Sequence, residues 1–240
     1  MSEAFELVPG NGDLLVVVDH ASNRAPADID LGIPPELLER HIGSDIGADA
    51  LGRELCRRLG CPGLFGAVSR LVIDLHREED SPALIPQASD GHMIPGNQNL
   101  DAADRAARID RFWQPYHRAL ASLVAERRPA LIAAVHSFTP RLETVEGPSR
   151  PWEVGILYNQ DERAAHIAIA ELRRQGLSTG DNEPYSGKLL NATMNMHAEA
   201  NGIPYLAIEV RNDLIGDNAG VQRWANILES LMLHCRKKLA

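Results

Sequence analysis

Leu14-Leu15-Val16-Val17-Val18-Asp19-His20-Ala21-Ser22-Asn23 is the stretch on which the fold turns. Its apolar run, rich in β-branched residues, passes directly into short polar ones. A brief run without alternation reads as a strand buried on both faces, as in a parallel sheet. Leu131 to Val135 repeats the pattern and ends at His136-Ser137, and Tyr205 to Val210 makes a third such run. Further strands are expected over Gly66 to Leu75 and Glu153 to Tyr158. Helical stretches lie between them. Pro34-Pro35 opens one to about His41, and Ser44 or Asp45 caps another that Gly60 stops after Leu59. Asp101 or Asp104 starts a long helix to about Arg127. Asp161 to Gln175, Asn191 to Asn201 and Ala219 to Lys238 complete the set. Residues 79–100, 139–151 and 178–188 read as loops and turns. Strands alternating with helices predict an α/β protein with a largely parallel sheet. No composition shift or repeat divides the chain, so residues 1–240 are expected to form a single domain.

Composition narrows the function. The 240 residues are 44% hydrophobic and 24% charged, enough to bury a large core, and the formal net charge is -9. An acidic chain without a basic run lacks the phosphate attraction that nucleic acids and anionic membranes require. No stretch approaches the ~20 apolar residues of a membrane span. The three cysteines Cys56, Cys61 and Cys235 match no zinc knuckle or redox pair and are expected as reduced thiols. Met1-Ser2-Glu3-Ala4-Phe5-Glu6 has no secretory pattern. Together these features predict a cytoplasmic protein.

The chemistry collects where the apolar runs end. His20, His76 and His136 each follow such a run, and Glu209 sits near the end of another. Open α/β sheets bind ligands outside the carboxyl ends of their strands. Two imidazoles, one carboxylate and an open position make up a catalytic zinc site, and Asp19, Asp45, Asp74 and Glu209 are the carboxylates on offer. Asp45 is also a natural helix N-cap, a role compatible with ligation. Arg70 and Arg77 bracket the stretch Leu71 to His76, and Arg211 follows Glu209; guanidinium groups pair with carboxylates and polarise carbonyls. On a straight strand, Arg70 and Arg77 could not both reach one small ligand without a bend. Dinucleotide, phosphate-loop, Gly-x-Ser-x-Gly and His-Glu-x-x-His motifs are all absent.

Six blocks then fall in order: Asp19-His20-Ala21-Ser22-Asn23, Gly43-Ser44-Asp45-Ile46-Gly47-Ala48-Asp49, Ser69 to Arg77, Ile94-Pro95-Gly96-Asn97, Val135-His136-Ser137-Phe138 and Glu209-Val210-Arg211-Asn212-Asp213. The ordered set resembles the N-formylglutamate amidohydrolase family. The resemblance implies a three-layer α/β/α sandwich with a mixed, largely parallel sheet, like the phosphorylase/hydrolase and zinc-exopeptidase folds. It implies metal-dependent hydrolysis of an N-acyl amino acid, N-formyl-L-glutamate to formate and L-glutamate, with one Zn2+ ion. On this chain His20 and His136 match the metal histidines. Asn23 stands where aspartoacylase relatives carry the acidic ligand, and Asp45 is its replacement. Glu209 matches the general base, Arg70 the carbonyl-polarising arginine and Arg77 the substrate-carboxylate arginine. Arg211, Asn97 and His76 join the substrate pocket, His76 at a position where relatives often have Asn. Two rival readings share the scaffold: a zinc carboxypeptidase-like amidase for another N-acyl amino acid or a peptide, and a small-molecule binding protein without turnover.

Overall fold

The computed structural model describes residues 2–144, 146 and 148–240. The chain runs β1 (Phe5–Val8), β2 (Leu14–Val18), α1 (Pro35–Leu38), α2 (Ala48–Leu59), β3 (Gly63–Gly66), the hairpin strands β4 (Ala88–Ser89) and β5 (His92–Met93), and α3 (Ala102–Arg108). It continues through α4 (Gln114–Arg127), β6 (Leu131–Phe138), β7 (Val154–Leu157), α5 (Arg163–Arg174), β8 (Thr179–Asp181), α6 (Ala192–His197), β9 (Tyr205–Arg211) and α7 (Asn218–Leu239). Seven strands form one sheet in the order β1-β3-β2-β6-β9-β7-β8. Strands β3, β2, β6 and β9 are mutually parallel, while β1 and β7 join antiparallel and β8 follows β7. The sheet is therefore mixed and largely parallel, as expected.

Period-two alternation divides the apolar runs between two cores. Leu14, Val16 and Val18 pack with α2, α5 and α7 on one face. Leu15 and Val17 pack on the other face with Tyr116 and Leu120 of α4, Met194 of α6 and the segment Val68 to Leu75. Strand β6 divides likewise, with Ala133 and Val135 on the first face and Ile132 and Ala134 on the second. These are the three layers.

Four expectations need correction. First, Gly66 to Leu75 is not a strand; β3 ends at Gly66 and turns follow. Leu71, Val72 and Ile73 are all buried as in a buried strand, but Val72 N–H and Ile73 N–H both turn back to Ser69 O instead of pairing with a neighbouring strand. Second, α2 begins at Ala48, with Gly47 as its N-cap at φ +80°, and Asp45 gives the helix no side-chain cap. Third, α1 stops at Leu38, short of His41, and α6 stops at His197, with a 3-10 turn from Glu199 to Asn201 after it. Fourth, the segments expected as loops over 79–100 and 178–188 contain the two-residue strands of the β4–β5 hairpin and the three-residue β8, too short for any period to show, and the four-residue β1 is likewise not read as a strand.

The long helix expected to Arg127 is interrupted by a π turn at Ile109–Trp113. Pro115 cannot donate an i→i−4 bond, and the widened turn just before it absorbs that loss. Asp101 caps α3 in a full capping box with Asp104. Of the loop expected over 139–151, residues 145 and 147 lie outside the described residues. Among the described residues, no helix is long and apolar enough to cross a membrane. Cys56, Cys61 and Cys235 are free and buried.

Candidate active site

Strand register places the first two functional groups. His136 and Glu209 are paired neighbours across β6 and β9. Both share the parity of the residues that face the second core, so both project from that face. His20 lies just beyond β2, the other neighbour of β6. The turn carrying it is pressed against β3: a Cβ on Gly66 would stand 2.1 Å from Asp19 O. His20 O accepts from Asp45 N at 3.0 Å, which fixes the approach to α2 beside it. At the same approach, a Cβ on Gly47 would stand 2.3 Å from Ile215 O, so only glycine serves there.

These placements bring His20, Asp45 and His136 together. One donor atom from each lies within 4.8 Å of the others. Asp45 Oδ2 is 2.9 Å from His136 Nδ1 and 3.4 Å from His20 Nδ1. Arg70 Nη2 donates to Asp45 Oδ1 and to His20 Nδ1. The opposite edge of the His20 ring donates from Nε2 to Asp74 Oδ1 at 2.7 Å. This bond holds the ring with its Nδ1 lone pair toward Asp45, as second-layer carboxylates hold metal-ligating histidines.

A second buried group stands behind the first. Asp19 Oδ1 accepts from Tyr116 OH at 2.8 Å and Thr193 Oγ1 at 2.9 Å. Thr193 gives its single proton to Asp19, so it accepts from His76 Nδ1 at 3.0 Å. Asp19 Oδ2 faces His76 Nδ1 at 3.1 Å and His136 Nε2 at 3.4 Å. Asp19, His76 and His136 form another set of donors with metal-compatible spacing. Asp19 does not line the cavity, whereas His20, Asp45 and His136 all do. All three members of the latter set reach the cavity, where a coordination place can stay open to a ligand, as catalysis needs.

Charge follows from the same contacts. Burial opposes ionisation of Asp45, but Arg70 and His20 outweigh it and hold the carboxyl well below the usual range. Burial also opposes a charged His136, yet its contacts with Asp19 and Asp45 lift it well above an ordinary imidazole. Glu209 has no such partner, and its buried Oε2 lacks any hydrogen bond. Burial pushes its carboxyl up to about 7, with His136 limiting the rise and Asp45 adding to it. A carboxylate poised near neutrality in a cleft is suited to exchanging protons with substrate.

The cavity has a volume of about 340 Å³. Arg70 and Arg77 both line it, since the coiled segment 67–77 removes the straight strand that would have separated them. Arg77 Nε stands 3.7 Å from Asp74 Oδ2, and buried Arg70 Nε has no hydrogen-bond acceptor. His76 lines the cavity too, as do Ser89 and Asp90 of the β4–β5 hairpin. Asn97 and Arg211 do not. Asn97 Nδ2 donates to Leu71 O and Pro86 O, each at 2.8 Å, and its Oδ1 accepts from Arg108. It ties the coiled segment down, with both N–H groups spent on backbone carbonyls and the side chain buried away from the cavity. Arg211 is paired with Asp213 at 2.8 Å. Asn23 lies outside the cavity as well. Sequence reasoning did not find Tyr116, Thr193 or the cavity-lining Tyr185, which come from separate elements without a local motif.

The residues present fit a divalent cation. Two imidazole nitrogens and a carboxylate oxygen converge at a cavity, each ligand side chain is almost fully buried, and both imidazoles have carboxylates behind them.

Comparison with known proteins bears on the family of the chain. The family described as N-formylglutamate amidohydrolase matches residues 12–216. A gene product from Agrobacterium tumefaciens of known structure is 32% identical over 98% of this chain and 95% of its own, with a TM-score of 0.93. The N-formylglutamate amidohydrolase from Ralstonia eutropha is 25% identical over 99% of this chain and 98% of its own, with a TM-score of 0.74. No curated protein matches. With the match running from before β2 to beyond β9, the chain belongs to the N-formylglutamate amidohydrolase family.

Proposed function

We propose that the chain hydrolyses the amide bond of an N-acyl amino acid, with N-formyl-L-glutamate as the reference substrate and one zinc ion held by His20, Asp45 and His136. The observation that carries this reading is the convergence of those three donors at the cavity, beside a Glu209 carboxyl raised to about 7. When bound, the ion supplies a Lewis acid that polarises the scissile carbonyl and acidifies water.

The protein groups divide the remaining work. Glu209 takes a proton from the attacking water and returns it to the departing amine, using the oxygen that has no other partner. Arg70 directs its free Nε–H to the oxygen on which negative charge grows. Arg77 receives the substrate carboxylate and so fixes the direction of the bond to be cut. His76, anchored by Asp19 and Thr193, shapes the wall beside these groups.

Metal analysis joined to an assay tests the proposal. The purified protein is expected to bind one equivalent of zinc and to release formate from N-formyl-L-glutamate. His136→Ala is expected to lose both. A His136→Ala variant that keeps a full equivalent of zinc removes the ligand set, and a zinc-loaded wild type without amidase activity removes the hydrolase reading.

A further inference from the structure

The β4–β5 hairpin turns on Asp90-Gly91, at φ +41° and +81°, the backbone that a two-residue hairpin turn needs. The turn places Asp90 two residues before His92 and brings Asp90 to the cavity wall. Thr144, on the chain after β6, closes on the turn: a Cβ on Gly91 would stand 2.5 Å from Thr144 Cγ2. His41, in the turns after α1, reaches the same place and also lines the cavity.

Metal-ligating side chains from three segments converge there. One donor atom each from His41, Asp90 and Glu143 lies within 4.8 Å of the others. His41 Nε2 donates to Asp90 Oδ2 at 2.8 Å, and Glu143 N donates to the same oxygen at 2.9 Å. His92 Nε2 donates to Glu143 Oε2 at 2.9 Å, which adds a second imidazole. Thr144 N and Oγ1 hold Asp90 Oδ1 at 3.1 and 2.7 Å, and Arg40 holds Glu143 Oε1. Each carboxylate thus has one oxygen fixed from behind and the other turned to an imidazole. Asp45 divides its oxygens in the same way, with Arg70 on Oδ1 and the rings of His136 and His20 at Oδ2. A guanidinium on the rear oxygen therefore accompanies this donor arrangement in both places. Burial opposes ionisation of Asp90, but the bonds from Glu143 and Thr144 outweigh it and hold the carboxyl at about 2. The bond from His92 holds the Glu143 carboxyl below its ordinary range. Both carboxylates are therefore anionic ligands at neutral pH.

We propose that His41, Asp90, His92 and Glu143 form a second divalent-cation site, at the rim of the cavity. Two imidazoles with two carboxylates suit zinc and its neighbours, whereas calcium and magnesium take oxygen ligands alone. Each ring gives its Nε2 lone pair to the ion in place of the N–H···O bond, and the neutral ring carries its proton on Nδ1. The ion ties the turn after α1, the hairpin and the chain after β6 together at the mouth. Its imidazole side chains are 20% and 28% exposed, against 5% for those of His20 and His136, so the rim site binds more weakly and fills after the first. The site stands apart from the hydrolase reading, because none of its four residues takes part in that chemistry.

Equilibrium dialysis of the chelator-treated full chain against zinc chloride tests the site. Wild type is expected to take up a second equivalent after the tight one. The double variant His92→Gln, Glu143→Gln changes two residues that do not line the cavity. With an unchanged circular dichroism spectrum, it should bind one equivalent less than wild type at saturation. In wild type, filling the second equivalent should slow amide hydrogen exchange in residues 88–93 and 139–144, and in the double variant it should not. Equal zinc uptake by the double variant and wild type overturns the site and puts the ion on another group, such as the surface pair His166–Glu162. Exchange in residues 88–93 that does not change as the second equivalent binds to wild type overturns it as well.

Discussion

Single side chains at this site act through the company they keep. Glu209 is the clearest case, a buried carboxyl raised to about 7 with one oxygen unpartnered. Glu209→Gln is expected to retain zinc but to lose about 10²- to 10⁴-fold in kcat, the usual contribution of a positioned base. The same substitution has a stability signature in chelator-treated protein. Below pH 4.5 the carboxyl is neutral in both folded and unfolded chains. Between 4.5 and 7 the unfolded chain ionises first, so wild-type stability falls as pH rises. Thermal unfolding of Glu209→Gln should therefore gain on wild type from pH 5 to pH 8, by on the order of 2–3 kcal/mol. An unchanged difference between those pH values would mean that Glu209 is not buried as described. Asp74 acts one layer further out, through His20. Asp74→Asn removes the acceptor that orients the ring and is expected to weaken zinc binding about 10- to 100-fold, measured by competition with a chelator.

Elements determine whether the cavity has walls. The β4–β5 hairpin and the chain after β6 are fastened together chiefly by Asp90, with His92 Nε2 adding a bond to Glu143 Oε2 at 2.9 Å. The Asp90 carboxylate accepts from His41 Nε2 at 2.8 Å, from Glu143 N at 2.9 Å, and from the backbone and hydroxyl of Thr144. Asp90 is itself at φ +41°, a conformation that asparagine also tolerates. Asp90→Ala releases all four bonds and is expected to raise KM severalfold with little change in zinc content. Amide hydrogen exchange should accelerate in residues 88–93 and 139–144 while β6 and β9 stay protected. Equal protection in variant and wild type would show that other contacts hold the wall.

At the scale of the molecule, the metal site joins three parts of the chain that are remote in sequence: the turn after β2, the approach to α2 and the end of β6. A ligand that binds only the folded chain stabilises it in proportion to the logarithm of its concentration. Zinc at about 100 times its dissociation constant is expected to add ~2.7 kcal/mol and raise Tm by several degrees. Chelation should reverse the shift, and His20→Ala should abolish it. An identical shift in His20→Ala would place the ion elsewhere.

The three apolar runs, by their lengths and unbroken character, specified a buried parallel sheet core. Their ends named His20, His136 and Glu209, because a strand that leaves an apolar layer presents its first polar residues at the sheet edge. Local pattern could not specify the segment from Arg70 to Arg77. Its apolar residues suit a strand as well as a coil packed on a sheet face, and only the packing against α4 and α6 chose the coil that brings both arginines to one cavity. The same limit governed Asp45. Its spacing fits a helix cap, but burial beside Arg70 and His136 rewards ion pairing far more than capping, so the helix starts three residues later at Ala48. Asn97 was legible as part of a motif but not as a brace. Tyr116 and Thr193 left no mark in the sequence, because contacts between distant elements have no period and no spacing.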